Sequence, residues 1–346
     1  MGDYSGDQFY VTPDGNGGTD VSLCFCHDTL IATPAGEVKV QDLAVGDKVL
    51  TQHGSARLIV WIGTGSVLAT RGRRNAATPV IVRKGALADN VPARDLRVTK
   101  GHSLLLDGVL IPVEYLVNHR SIEWDDRAQD VRLYHIELET HDVLIANGAP
   151  AESYRDDGNR WLFRNANDGW DQPAKQPCAS VLTGGPAVDA AWRRLLDRSG
   201  PRPNVPMTDD PDPHLVVDGQ PLDATERDGD EVVFTLADRP AEVRIVSRAS
   251  VPQELGFARD PRCLGVALRR VAMRQGSRFR GAEANDPALE RGFHGFEADN
   301  RCIWTDGDAA FPMTLFDGLT GPMEIILTVA GSMHYVDDGI RQKAAA

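Results

Sequence analysis

Positive charge is in short supply. Lys and Arg number 37 against 50 Asp and Glu, a formal net charge of −13. Such a field repels phosphate backbones and anionic lipid, which argues against nucleic acid and membrane surfaces as partners. Long apolar runs are missing too, none approaching the ~20 residues that span a bilayer. The start, Met1-Gly2-Asp3-Tyr4-Ser5-Gly6-Asp7, has neither a basic cluster nor an apolar stretch and does not read as a Sec signal peptide. The cytoplasm is then the default compartment, with signal-less export as the other route. Cysteine is scarce. Five in 346 residues do not make a disulfide scaffold, and the odd count leaves at least one thiol without a partner in the chain.

What is present is the balance of a folded soluble protein, 42% apolar and 25% charged. The length suggests about two domains, with ample chain to bury a core. Residues 1–20 are polar and Gly-rich and read as a flexible arm. Thr12-Pro13-Asp14-Gly15-Asn16-Gly17-Gly18-Thr19-Asp20 holds turn formers and little to bury. Its Gly/Asp spacing resembles one calcium-binding nonapeptide unit, and one unit is too little to bind.

Residues 21–164 read as a first domain of short β-strands. Candidates are Leu30–Thr33, Lys48–Thr51, Arg57–Ile62, Val80–Val82 and Val131–Leu138, with a short helix hinted at only over Val113–Val117. Residues 165–212 form a Pro-rich linker interrupted by one helix. Pro186 sits near its start, Val188, Trp192, Leu195 and Leu196 form its apolar stripe, and Gly200 can stop it. That stripe predicts packing on a neighbouring domain. Residues 213–336 form a second β-rich block, with strands over Leu215–Val217, Glu231–Leu236, Glu242–Val246, Leu264–Leu268, Cys302–Trp304 and Met323–Val329. Turn signals between them fit an antiparallel sandwich. Residues 337–346 are a tail. The expected class is mostly β.

Three clusters in the first domain carry reactive side chains. The first runs Leu23-Cys24-Phe25-Cys26-His27-Asp28-Thr29, then Thr33-Pro34-Ala35-Gly36 and Leu43-Ala44-Val45-Gly46-Asp47-Lys48-Val49. The second is Thr99-Lys100-Gly101-His102. The third runs from Tyr134-His135 through Thr140-His141 to Asn147-Gly148. Singly, each has a bland explanation. Cys24-Phe25-Cys26-His27 could be half a zinc site, but no second pair follows at the usual spacing. A free Cys is most often a small buried hydrophobe, and a lone His is often a satisfied core residue.

In this order, the clusters resemble the Hint (hedgehog/intein) domain, in particular its bacterial hedgehog/intein-like members. The resemblance covers roughly residues 22–164 and implies a pseudo-symmetric β fold. Ala86-Leu87, Pro92, Arg94-Asp95-Leu96, Leu110-Ile111-Pro112 and Glu152-Ser153-Tyr154 also match the bacterial subfamily. Asp28 departs from it, standing where the family usually has Gly.

The resemblance implies a self-processing chemistry that needs no cofactor or metal. The Cys24 thiolate attacks the Leu23 carbonyl, and the amide becomes a thioester. Such a site needs a nucleophile with thiolate character, donors for the oxyanion and an acid for the leaving α-amine. By resemblance Cys24 is the nucleophile. His102 protonates or twists the scissile bond, and Thr99 donates to His102 or to the Leu23 carbonyl. His135 stands where Asp is frequent and takes the Cys24 proton, a task suited to an unperturbed pKa of about 6.5. His141 is a further orienting candidate. Splicing members end in His-Asn, whereas this chain reads Ala151-Glu152-Ser153-Tyr154, so cleavage without splicing is expected. Asn147-Gly148 matches an internal structural position. The substrate is then the chain's own N-terminal segment, and transfer to an added acceptor is a further option. Cys26 shares the strand face of Cys24 by alternation.

Elsewhere, Cys178 reads as free and incidental, His119 as a turn residue, and Cys263 and Cys302 as core strand positions. Around Gly292-Phe293-His294-Gly295 and Arg301-Cys302-Ile303-Trp304 the chain loosely resembles β-sandwich modules of bacterial surface-glycan enzymes. Trp304 with Arg301, Asp306 and Asp308 could form a sugar platform, against a plainer reading as a core Trp beside a charged turn. Asp306 and Asp308 alone are too few ligands for calcium. Two rival functions remain open. One is an inactive scaffold whose second domain binds glycan or protein, and the other is a cysteine hydrolase acting in trans.

Overall fold

The computed structural model describes residues 12–13, 19–20, 24–69, 74, 77–156, 160, 163–166, 175–200 and 206–337. Leu23 lies outside the described residues, as does most of the expected N-terminal arm and nearly all of the tail. The chain divides into two units, residues 1–201 and 202–346, and the division falls within the Pro-rich stretch.

The first unit is built from short antiparallel strands. Two residues of the expected arm, β1 (Thr12–Pro13), pair with β2 (Thr19–Asp20). Then come β3 (Phe25–Cys26), β4 (Leu30–Thr33), β5 (Gly36–Lys39), β6 (Lys48–Leu50), β7 (Ala56–Leu68) and β8 (Val80–Val82). They are followed by β9 (Leu96–Val98), β10 (Ser103–Leu106), β11 (Val109–Pro112), β12 (Ile122–Trp124), β13 (Asp130–Leu138), β14 (Val143–Ala146) and β15 (Ala149–Glu152). One sheet runs β11, β10, β15, β14, β4, β5, and a larger one runs β12, β8, β9, β3, β13, β7, β6. The β13 sequence shows why the larger sheet is sided. Val131 and Leu133 are buried while Asp130 and Arg132 are exposed, and from His135 to Leu138 every residue is buried. The strand thus starts half-covered and ends covered on both faces, taking the polar His135 and Glu137 inside with Ile136 and Leu138. The short helix expected at Val113–Val117 is a single 3₁₀ turn, Val113–Leu116.

Helix α1 (Pro186–Arg198) belongs to this unit. Pro186 occupies its first turn, where the missing N–H is no loss. Val188, Ala191 and Leu195 enter the same core as Phe25, Ile31 and Leu104. The Trp192 indole N–H donates to the Val117 carbonyl at 2.7 Å. No helix among the described residues is long and apolar enough to cross a membrane.

The second unit is a sandwich of two antiparallel sheets. After a short β16 (Met207–Thr208) come β17 (His214–Val217), β18 (Gln220–Leu222), β19 (Glu226–Asp228), β20 (Glu231–Leu236), β21 (Val243–Val246) and β22 (Ala267–Gln275). The rest are β23 (Arg278–Glu283), β24 (Ile303–Trp304), β25 (Asp308–Ala310), β26 (Met323–Gly331) and β27 (Tyr335–Val336). The sheets run β18, β17, β21, β25 and β19, β20, β26, β22, β23, with β24 paired to β22. Leu215, Ile245 and Ala309 from the first meet Phe234, Val271 and Ile325 from the second in one core. Two expectations are corrected here. The Leu264–Leu268 strand begins only at Ala267, and Cys263 is exposed and not a core strand residue. Pro261 and the Asp260 carboxylate, which accepts from the Arg262 N–H at 2.9 Å, turn the chain just before Cys263. Cys302 is buried, as expected.

Candidate functional site

The site forms where the two-residue β3 is wedged between β9 and β13. Phe25 faces Val98 on one side and Tyr134 on the other. One step back along both ladders, Cys24 stands beside Thr99 and His135. Thr99 grips Cys24 by its backbone. The Cys24 N–H donates to Thr99 Oγ1 at 2.7 Å, and the Thr99 N–H donates to the Cys24 carbonyl at 2.9 Å. Thr99 therefore holds the amide nitrogen of the expected scissile bond. Its expected role as a donor to the Leu23 carbonyl involves an atom outside the described residues. Alternation sends Phe25 into the main core and sets Cys24 and Cys26 together in a smaller cluster with Val131, Leu133 and Tyr154.

Two histidines close over this point. The Thr99–His102 turn is tied by the His102 N–H donating to the Thr99 carbonyl at 3.0 Å. The His102 ring lies 4.3 Å from the Phe25 ring and 5.2 Å from the His135 ring, between centroids. The His135 ring lies 5.1 Å from Tyr154. Both histidines are fully buried, and among the described residues none of their four ring nitrogens has a hydrogen-bond partner, although the Glu152 backbone lies near enough to favour the charged form of His102. Buried polar atoms are nearly always paired, so two adjacent orphan imidazoles mark a place where stability has been given up. Burial pulls the His102 pKa down to about 4 and the His135 pKa well below its ordinary value. Both rings are therefore neutral near pH 7. Burial also pushes the Cys24 thiol well above its ordinary range, with Cys26 adding to the shift, and pushes Cys26 up to about 12. The resting site therefore holds protonated Cys24 and Cys26 thiols and two neutral imidazoles.

Behind His102 lies a second layer that the sequence reading left incomplete. His141, in the turn after β13, places Nε2 3.6 Å from Glu152 Oε2, both residues being buried. The other Glu152 oxygen accepts from the Ser103 N–H at 2.6 Å. Burial raises the Glu152 pKa, but His141, His102 and Ser103 outweigh it and keep the carboxyl ionised. Burial lowers the His141 pKa, while contacts with the Cys178 side chain and Glu152 raise it, the upward pull prevailing. Yet the Cys178 N–H donates to His141 Nδ1 at 3.0 Å, and a doubly protonated ring would turn an N–H against that N–H. The hydrogen bond therefore places the resting proton on Nε2, facing Glu152. His141 is thus brought beside the site through Glu152. Sequence reasoning missed Glu152 and Cys178 as partners. Glu152, a lone carboxylate at the end of β15, carried no signal that singled it out. Cys178 carried none, since 37 residues separate it from His141.

Asp28 sits at φ 69°, a left-handed conformation that suits the family's Gly and that Asp also tolerates. Its carboxylate is held by Lys39 and Gln41, each at 2.9 Å, so the departure from the family leaves the turn intact. Asn147 is structural, as expected. Its Oδ1 accepts from the Leu30 N–H at 2.8 Å and its Nδ2 donates to the Asp95 carbonyl at 2.9 Å.

The candidate platform of the second unit is assembled differently from the expectation. Trp304 is half-buried, and its indole lies near Glu297, which Arg262 holds at 2.8 Å. Asp308 pairs with Arg244, and Asp306 accepts from the Asp308 N–H at 2.9 Å, closing the turn. Arg301 is exposed at φ 50°. The two aspartates thus serve the turn, and Glu297 is the carboxylate at the indole.

The first unit is thus a fold of antiparallel sheets in which Cys24 is clamped by the Thr99–His102 turn. The family model described as Hint domain matches residues 23–158, and the first unit contains a Hint domain. The solved structures it is similar to include the MchDnaB-1 intein, with 17% identity over 38% of this chain and 99% of that one at a TM-score of 0.28. The bacterial intein-like domain from Clostridium thermocellum aligns at 11% identity over 39% of this chain and all of that one, with a TM-score of 0.31. A DnaB intein from Synechocystis aligns at 14% identity over 38% and 98%, with a TM-score of 0.27. No curated protein matches the chain.

Proposed function

We propose that the first unit cleaves its own chain before Cys24. The Cys24 sulfur attacks the carbonyl carbon of Leu23, the bond to the Cys24 nitrogen breaks, and a thioester results. The thiol proton passes to His135, from there to the neighbouring His102 ring, 5.2 Å away between centroids, and from His102 to the freed α-amine. An imidazolium formed in so dry a place is a strong acid, which favours the delivery. Water or an added thiol then releases the N-terminal segment. Glu152-Ser153 stands in place of a terminal His-Asn, which supports cleavage without splicing. The observation that carries this reading is the Thr99 clamp on the Cys24 N–H beside two orphan imidazoles. A purely structural cysteine would need neither.

The test is the intact mass of freshly purified chain, with and without dithiothreitol or hydroxylamine, beside Cys24→Ala. Loss of residues 1–23 is expected in the parent chain, faster with the added nucleophile, and absent in the variant. An unchanged full-length mass in every condition would overturn the reading and turn attention to the second unit as a glycan- or protein-binding module.

A further inference from the structure

We propose that residues 160 and 163–166 form a strap that closes the Cys24 site, with Phe163 setting the size of the nucleophile that can enter. What that nucleophile attacks rests on the cleavage reading, whereas the closure does not. The strap answers an open strand edge. β6 pairs with β7 only from Ala56 to Leu58. Farther along, β7 pairs with β13 alone among the described strands. Its outer edge there carries N–H and carbonyl groups that no strand satisfies. The strap takes them up. The Arg164 N–H donates to the Thr64 carbonyl at 2.9 Å. The Thr64 N–H donates to Asn165 Oδ1 at 3.0 Å, and Asn165 Nδ2 donates to the Ile62 carbonyl at 2.6 Å.

Those anchors seat Phe163. Its N–H donates to the Arg160 carbonyl and its carbonyl accepts from the Ala166 N–H, both at 3.2 Å. The ring is 5% exposed and joins the small cluster that buries Cys24 and Cys26. It lies 5.1 Å from the Trp61 ring and 5.7 Å from that of Tyr154, which in turn faces His135. Among the described residues, Phe163 is the one buried member of that cluster from beyond residue 158, where the match to the Hint domain ends. Arg160 adds a second tie. Its guanidinium lies 4.0 Å over the Trp61 ring, and Nη1 donates to Glu137 Oε2 at 2.7 Å. Lys175 Nζ holds the other Glu137 oxygen at 2.7 Å. Removing one partner of a buried ion pair is strongly unfavourable, so these ties resist lifting of the strap.

A thioester at Cys24 is resolved when the lone pair of a nucleophile attacks the Leu23 carbonyl carbon. The carbon–sulfur bond breaks, and the Cys24 sulfur leaves as a thiol with the nucleophile's proton. The nucleophile must therefore reach an atom bonded to a sulfur that this cluster buries. With the Phe163 ring in place, the entrance suits water or hydroxylamine and holds out a tripeptide thiol such as glutathione. The same ring keeps large reagents from the resting thiols. That gives the closure a readout which needs no cleavage.

The test has two arms on the full chain. The first uses a Cys24→Ala background, so its outcome does not depend on cleavage. Modification of Cys26 by N-ethylmaleimide and by the larger fluorescein maleimide is followed by peptide mass, with exposed Cys263 as the internal reference. Phe163→Ala should speed the larger reagent at Cys26 by about tenfold or more, and speed the smaller one less. Asn165→Ala removes the side-chain ties to β7 without removing a core ring, and should act in the same direction. Leu144→Ala, a loss in the main core, should not. Circular dichroism checks that each variant folds, and if Phe163→Ala does not, Asn165→Ala decides. An unchanged rate for the larger reagent overturns the strap, as does an equal rise in Leu144→Ala. The second arm keeps Cys24 and compares cleavage by hydroxylamine and by glutathione. Phe163→Ala should raise the glutathione rate relative to the hydroxylamine rate, and an unchanged ratio overturns the role in selection. If no chain cleaves with either nucleophile, the cleavage reading falls, and the closure stands or falls at Cys26.

Discussion

His102 shows what a single residue costs this fold. Its ring is wholly buried, and neither nitrogen is paired among the described residues. Its pKa falls from 6.5 to about 4 because the charged form cannot be solvated there. Between those values the unfolded chain binds a proton that the folded chain refuses. Stability is therefore full above pH 6.5 and lost as the pH falls toward 4. The shift corresponds to about 3 kcal/mol, and His135 adds a loss of the same sign. Urea midpoints between pH 7.5 and pH 4 should fall steeply for the parent chain and less steeply for His102→Gln. Equal slopes would mean that other groups govern the acid limit. At this scale much was legible. Cys24, Thr99, His102 and His135 all stand in motifs that the sequence displays, and the fold brings them to one region. Glu152 was not chosen, because a lone Glu at a strand end looks like any other. Its significance lies in a histidine that the chain delivers from another turn.

The strands were the easier part to read, and their alternation explains why. Val131–Leu138 and Met323–Val329 are β-rich runs that start in alternation, and both lie in strands of nine residues. The Leu264–Leu268 segment looks as apolar but is held by a turn and by Gly265, which the period alone does not show. One further element depends on the absence of a side chain. On β7, Gly63 lies opposite His135 of β13. A Cβ there would come 2.5 Å from Trp61 and 2.6 Å from Phe163. Those two rings and Tyr154 stack with centroids 5.1 to 5.7 Å apart and wall the far side of His135. Gly63→Ala must push this wall toward the imidazole. It should destabilise the chain by about 1–3 kcal/mol and slow cleavage before Cys24. The urea midpoint checks the first effect and the mass assay the second. An unchanged midpoint would mean that the wall is looser than its packing implies.

At the scale of the whole chain, length and proline content anticipated two units joined by a Pro-rich stretch, but not where the first ends. The helix sits in that stretch by sequence and in the first unit by packing. The two main cores share no residue. One draws on residues 25–195 and the other on residues 215–327. Cutting after residue 201 therefore removes nothing from the first core. Cutting before Pro186 removes Val188, Ala191 and Leu195 from it and leaves the Val117 carbonyl without the Trp192 indole. Loss of one buried Leu or Trp costs about 2–5 kcal/mol, so losing the helix should cost well over 5 kcal/mol, comparable to the whole stability of a small domain. Residues 1–201 should thus unfold in one cooperative transition, and residues 1–185 should show none or aggregate. Thermal melts of the two fragments, read by near-ultraviolet circular dichroism, separate the outcomes. A cooperative 1–185 fragment would mean that α1 only shields a surface, and the functional unit would then end before the helix.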